Sequence, residues 1–260
     1  MFTVAVRRVG AFSIERGRSL VQMAAISAET MRALVRLTFF NRACYAALIR
    51  QLDEIAVRGL PATCIVALIF GSVTVHYLLA ILTGLGAYDR IGDYLIDSML
   101  HVIAPVSVTM ILMLRSGTTV MAEVGTMKIR GELDTLATLG IPLRDYLFLP
   151  RLAAFAVAGP CLTLAFSLVG LLGGFLVLGY FQDITLANYT DQITAALTLR
   201  DLAFVTVKPL LMACAVGVIA LQRGLAVQAT LAELPPLLIR GLLYALAFVT
   251  AWEMVFSFVD

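Results

Sequence analysis

Polar chemistry is scarce in this chain. Only 14% of its 260 residues are charged, it has two histidines and one tryptophan, and no stretch reads GxxxxGK[ST]. That last absence removes the loop whose backbone amides cradle nucleotide phosphates, so no ATP hydrolysis is expected on this chain. The four cysteines, Cys44, Cys64, Cys161 and Cys214, lie far apart, with no CxxC pair and no histidine beside them. They read as small core residues and leave no metal site. No Ser/His/Asp constellation is legible, so a non-catalytic chain is expected. The opening MFTVAVRRVGAFSIERGRSL carries basic residues but neither the apolar core of about 7 to 15 residues nor the cleavage-like site of a signal peptide, and it is expected to remain on the protein. With a net charge of +2, nothing implies a nucleic-acid surface.

Apolar residues are abundant. They make up 61% of the chain, which is too many for a soluble domain and suits a polytopic membrane protein. Between Arg32 and Arg58, Leu34, Leu37, Asn41, Cys44, Tyr45, Leu48, Leu52 and Ile55 recur at helical spacing, with Arg32, Arg36, Arg42, Arg50, Asp53 and Glu54 opposite. This predicts an amphipathic helix in the headgroup layer. Five runs are each long enough to cross about 30 Å of hydrocarbon: Ala62 to Leu85, Met99 to Met121, Leu152 to Leu178, Leu202 to Leu221 and Leu237 to Phe258. The fold class is therefore an all-α integral membrane protein, with an N-terminal interfacial helix and five transmembrane helices. There is no internal repeat, so a single domain over 1–260 is expected, with residues 1–58 as the N-terminal part and 60–258 as the five-span part.

Basic residues orient it. Nine Lys or Arg precede Pro61, five lie from Arg115 to Arg151, and two, Arg223 and Arg240, flank the last loop. Placing all of these in the cytoplasm leaves only Arg90, Arg200 and Lys208 for the other side, so the N-terminus is expected inside and the C-terminus outside. The stretch Glu123 to Arg151 then becomes a charge-rich cytoplasmic interruption. Within it, Glu132 to Leu139 predicts a short helix with Leu133, Leu136 and Leu139 on one side, stopped by Gly140 and Pro142. Such a helix can plug into a groove on a partner.

Lys208 and Glu253 are the only formal charges deep in spans 4 and 5, at matching depths of about 10 Å from the outer ends. A charge in hydrocarbon costs several kcal/mol unless paired or wet, which makes them expected partners. The pair reads either as a polar anchor or gate or as a structural tie between two spans. His76 and Tyr77 on span 1 and His101 on span 2 are the other polar candidates for a lipid-facing cavity. An imidazole changes charge near neutral pH, so His101 could make lipid binding depend on pH.

The run from Ala104, APVSVTMILMLRSGTTVMAEVGTMKIRGELDTLATLGIP, followed by LPR and VGLLGG, resembles the MlaE family of ABC transporter permeases, whose pattern is GP, GR.G, AE.GTM, E..DAL..(L/M)G..P, PR and G..GG. The Arg50, Gln51, Leu52 triplet, Gly59 to Pro61, and Asp201, Leu202 and Lys208 extend the likeness from about Cys44 to Phe258. The resemblance implies the permease of a lipid transporter in the bacterial inner membrane, working as a homodimer with a cytoplasmic ABC ATPase dimer, a hexameric periplasmic MCE-domain protein and phospholipid, and leaving room for a small accessory subunit. It implies that ATP and Mg are bound by the ATPase and no cofactor by this chain. It also makes the segment from Glu123 to Pro142 a coupling helix, with Glu123, Glu132, Leu133, Asp134, Leu136 and Leu139 at the ATPase contact. Two departures stand out. His101 and Val102 occupy positions where the family has Arg and Glu, and RGLAVQATLAELPPLLIR replaces a glycine-rich loop before span 5.

A rival from another class is an ion- or proton-coupled secondary transporter that uses Lys208, Glu253 and the histidines as coupling charges. The small span count and the lack of inverted repeats speak against it. An integral membrane enzyme acting on lipids would need a catalytic cluster at one interface, which the sequence does not offer.

Overall fold

The computed structural model of the chain describes residues 42–86, 91–140, 142–182, 189–191, 193–194, 197–227 and 234–256. Residues 32–41 of the expected interfacial helix lie outside this set, as do Arg90 and Glu233. Among the described residues every regular element is helical. Helix α1 spans Arg42–Leu52 and passes through a π-helical turn, Asp53–Val57, into α2, Leu60–Leu85, which is span 1. Span 2 is built from α3 (Ile91–Ile96), a π turn (Asp97–Ile103), α4 (Ala104–Leu112), a second π turn (Met113–Gly117) and α5 (Thr118–Ile129). A short α6, Glu132–Thr138, precedes span 3, α7 (Leu149–Gln182). Span 4 is α8, Leu199–Leu225, and span 5 is α9, Leu234–Phe256. Among the described residues, five stretches are long and apolar enough to cross a membrane, in agreement with the hydropathy count.

Span 3 is the hub because it carries small residues where other helices cross it. A methyl group added to Gly71 of span 1 would fall 2.0 Å from the carbonyl oxygen of Gly170, so these two backbones touch. Close approach of this kind maximises dispersion contact where lipid supplies no hydrophobic drive between helices. On the other flank Gly159 faces the Pro209 carbonyl of span 4, at 2.8 Å from the same imagined methyl. Phe155 and Phe166 of span 3 are fully buried. Span 5 is the most peripheral of the five and span 3 the most buried.

Two sequence expectations change. The Glu123 to Arg151 stretch is not one long polar loop: α5 carries the helix on through Glu123 to Ile129, and α7 has already begun before Arg151. Hydropathy registered their charges as an interruption, whereas each side chain sits on a helix and neutralises the other. In α1 and the π turn after it, Cys44 and Ile55 turn inward and Leu48 and Leu52 pack beside them, as the periodicity predicts, but Tyr45 is exposed.

Candidate functional site

The polar groups of the spans collect at two levels. The first of these begins with backbone chemistry. Pro105 has no N–H, so it cannot satisfy the carbonyl of His101 four residues earlier. Lys208 Nζ donates to that carbonyl at 2.6 Å instead. The same ammonium reaches Glu253 Oε2 at 2.8 Å, with the lysine side chain 4% and the glutamate 21% exposed. Phe256 presents its ring face to the ammonium, with its centroid 5.6 Å away. Lys208 thus ties spans 2, 4 and 5 together, where the sequence suggested only a pair. Glu253 Oε1 is buried without a hydrogen-bond partner among the described residues.

The His101 ring lies between two carboxylates. Nδ1 is 3.1 Å from Asp97 Oδ1, one turn earlier, and Nε2 is 3.1 Å from Asp201 Oδ1. The second contact is close but not aligned as a hydrogen bond. Asp201 is itself fixed: the Thr198 amide and hydroxyl both donate to its Oδ2, at 2.8 and 2.7 Å, closing the N-terminus of α8. Sequence reasoning missed both aspartates as partners of His101. The i,i+4 spacing of Asp97 and the T-x-x-D at Thr198 were legible signals, but the contact between α8 and the π turn was not.

His76 and Tyr77 form an edge-on ring pair, with centroids 5.9 Å apart, on the outward face of span 1. Both are exposed, and they do not join the His101 cluster.

Midway along the molecule an apolar hollow of about 270 Å³ opens between spans 2 and 5, lined by Met110, Met113, Leu114, Ile239, Leu243 and Leu246 among others. Leu246 is seven residues from Glu253, so the hollow begins about 10 Å along α9 from the Lys208–Glu253 pair.

The second level is organised by Glu123 and Arg151. Arg151 Nη2 donates to Glu123 Oε2 at 2.7 Å, which braces span 2 against span 3, with the arginine side chain 9% exposed. The depth matching that pointed to Lys208 and Glu253 would have found this pair too, had these residues been placed on helices. Lys128 Nζ donates to the Leu225 carbonyl at the C-terminal end of span 4, where a cation suits the helix dipole. Beyond Ile129 the chain turns at Gly131, whose φ of 71° is left-handed and suits glycine, and enters α6. A second left-handed glycine, Gly140, follows α6.

On α6, Leu133 is buried in the chain's own core, Leu136 and Glu132 are half-buried, and Asp134 and Leu139 are exposed. The three leucines therefore do not share one free face. The outward surface of this segment is Glu132, Asp134, Leu136 and Leu139, while Leu133 anchors it from beneath.

Comparison with known proteins places these features. The family model described as Permease MlaE matches residues 48–259, nearly all of the spans and the connections between them. A probable ABC transporter permease protein of Rickettsia bellii is 25% identical over 181 residues, covering 70% of this chain and 68% of that protein. One from Rickettsia prowazekii is 27% identical over 177 residues, covering 68% of each. The intermembrane phospholipid transport system permease protein MlaE of Haemophilus influenzae is 28% identical over 131 residues, half of each chain. With five membrane-spanning helices and a family match across most of its length, this chain belongs to the MlaE family of ABC transporter permeases.

Proposed function

We propose that this permease moves phospholipid, or a related bulky lipid, between the inner membrane and a periplasmic MCE-domain carrier, driven by ATP hydrolysis on a separate cytoplasmic ATPase. The observation that carries the reading is the build of span 2. One helical rod joins the His101 cluster at the outer end to α6 at the inner end, with the apolar hollow on its flank. Force applied to α6 is transmitted along that rod, because Glu123–Arg151 and Lys128–Leu225 bind its inner half to spans 3 and 4.

In this mechanism two copies of the chain face each other across spans 1, 2 and 5, and the hollows between spans 2 and 5 accept acyl chains. Lys208, Glu253 and His101 meet the lipid headgroup where it leaves, and His76 and Tyr77 line the facing surface of span 1. Glu132, Asp134, Leu136 and Leu139 contact the ATPase. The N-terminus and α6 lie in the cytoplasm and the C-terminus lies outside. The phospholipid transport named for the Haemophilus relative supports the substrate class.

The test is copurification of the tagged chain with its soluble subunits, followed by ATP-dependent transfer of labelled phospholipid from vesicles to the periplasmic carrier. Transfer that needs ATP and stops with Leu139→Asp supports the reading. A chain that purifies without an ATPase and responds to a proton gradient would point instead to a secondary transporter built on the Lys208–Glu253–His101 cluster.

A further inference from the structure

The inner π turn of span 2 holds a second charge that the mechanism above does not use. Arg115 lies on the wall of a cavity of about 110 Å³ between the α1–α2 corner and span 2, together with Gln51, Glu54, Arg58, Thr119 and Glu123. Two of the other charges of this cavity have partners. Arg58 Nε is 3.3 Å from Asp53, and Glu123 is held by Arg151. The Arg115 guanidinium makes no hydrogen bond or ion pair with any described residue, and its Nη1 is buried. It is seated against Gly59, where a methyl group would lie 3.1 Å from Nη1.

The depth of this group follows from the same contact. Gly59 immediately precedes the apolar run of span 1, so Arg115 sits at the edge of the hydrocarbon, next to the headgroup layer that holds the lipid phosphates. Exposed Arg58 and Thr119 mark the mouth. A guanidinium offers a planar fork of donors that matches phosphate oxygens, and in a partly desolvated wall such a charge calls for an anion. The cavity is also of mixed sign, since Glu54 and Glu123 line it as well. A headgroup carrying both a phosphate and an ammonium matches that lining better than a purely anionic one.

We propose that this cavity binds the phosphate of a phospholipid headgroup from the adjoining leaflet through Arg115, and that it prefers the zwitterionic phosphoethanolamine. The site is separate from the hollow between spans 2 and 5. It requires membrane placement of span 2 and does not depend on the chain transporting lipid.

Native mass spectrometry of the full chain in detergent tests this, with phosphatidylethanolamine, phosphatidylglycerol and millimolar inorganic phosphate as the probes. Wild type should retain a tightly held phosphatidylethanolamine that inorganic phosphate does not displace. Arg115→Gln should weaken that binding about tenfold, the loss of one charge-assisted contact. Glu54→Gln should erase the preference over phosphatidylglycerol while leaving binding in place. Undiminished lipid retention by Arg115→Gln, or displacement of the lipid by inorganic phosphate, overturns the proposal. Should Arg115→Gln not fold, wild type is cross-linked with a phosphatidylethanolamine carrying a photoreactive headgroup. Adducts at residues 51–58 or 115–123 support the site, and adducts only elsewhere overturn it. Lipid transfer by the assembled transporter is scored separately, so failure of transport leaves this binding result readable.

Discussion

Consider Glu253→Gln. The change keeps shape but leaves the Lys208 ammonium, with a side chain 4% exposed, without its counter-charge. Breaking a buried ion pair by neutralising one partner costs about 3 to 5 kcal/mol. Lys208 keeps the His101 carbonyl and the Phe256 ring, which sets the expectation at the lower end. For a chain of this size that corresponds to a drop in Tm of about 6 to 12 °C, read by thermal unfolding in detergent.

The apolar double variant Lys208→Met/Glu253→Leu removes both charges, a replacement that is often neutral by itself. Here it also strips the His101 carbonyl of its donor, and Pro105 has no N–H to offer, so about 1 to 3 kcal/mol remains lost. Adding Pro105→Ala to the double variant restores a helical donor and should recover most of that loss. In the wild-type background the same Pro105→Ala should bring no comparable gain. Lipid transfer measured on the same proteins separates a tie from a headgroup contact: a tie predicts recovery of transport together with Tm in the triple variant. A Glu253→Gln protein that melts within about 1 °C of wild type, or a triple variant no more stable than the double, would refute the reasoning.

Leu139→Asp should uncouple ATP hydrolysis from lipid transfer without moving Tm, since Leu139 is 68% exposed, whereas Leu133→Asp should unfold the inner end, since Leu133 is buried; paired ATPase and melting measurements check both. Gly71→Ala should cost about 3 kcal/mol or more because its methyl meets the Gly170 backbone, while Gly84→Ala, with nothing within 4 Å, should be neutral or slightly stabilising. Tyr189 donates to the Leu171 carbonyl, and burial raises its phenol above the ordinary value of 10.0. The folded state therefore holds this proton more tightly. Its contribution is intact below about pH 10 and declines as pH rises beyond that value, a decline that Tyr189→Phe should remove from a stability-versus-pH series.

Much of this was legible in the residues. Each span is a run of apolar side chains with the length a bilayer demands, and Lys208 and Glu253 could be matched by counting turns, because a lone charge in hydrocarbon needs a partner at its own depth. Glu123 and Arg151 obey the same rule, yet they looked like the borders of a loop, since hydropathy counts a charge without asking whether it is neutralised. The leucines of α6 were spaced as one face, but a seven-residue helix has scarcely two turns, and the left-handed Gly131 before it sets which leucine turns inward. The π turns, and the contact that brings Asp201 of α8 to His101, arise from packing between spans, which no local pattern encodes.

Those π turns give span 2 an adjustable register. Each accommodates one residue more than an α turn would over the same rise, so the helix carries slack at two points along its length. Drawing one of them into α geometry would turn everything beyond it by about 100° and shift it by about 1.5 Å, the increments of a single residue. His101 sits in one such turn and Arg115 in the other. Span 2 is therefore geared as a screw, on which a twist at one end changes which side chains face the neighbouring helices without any hinge having to open.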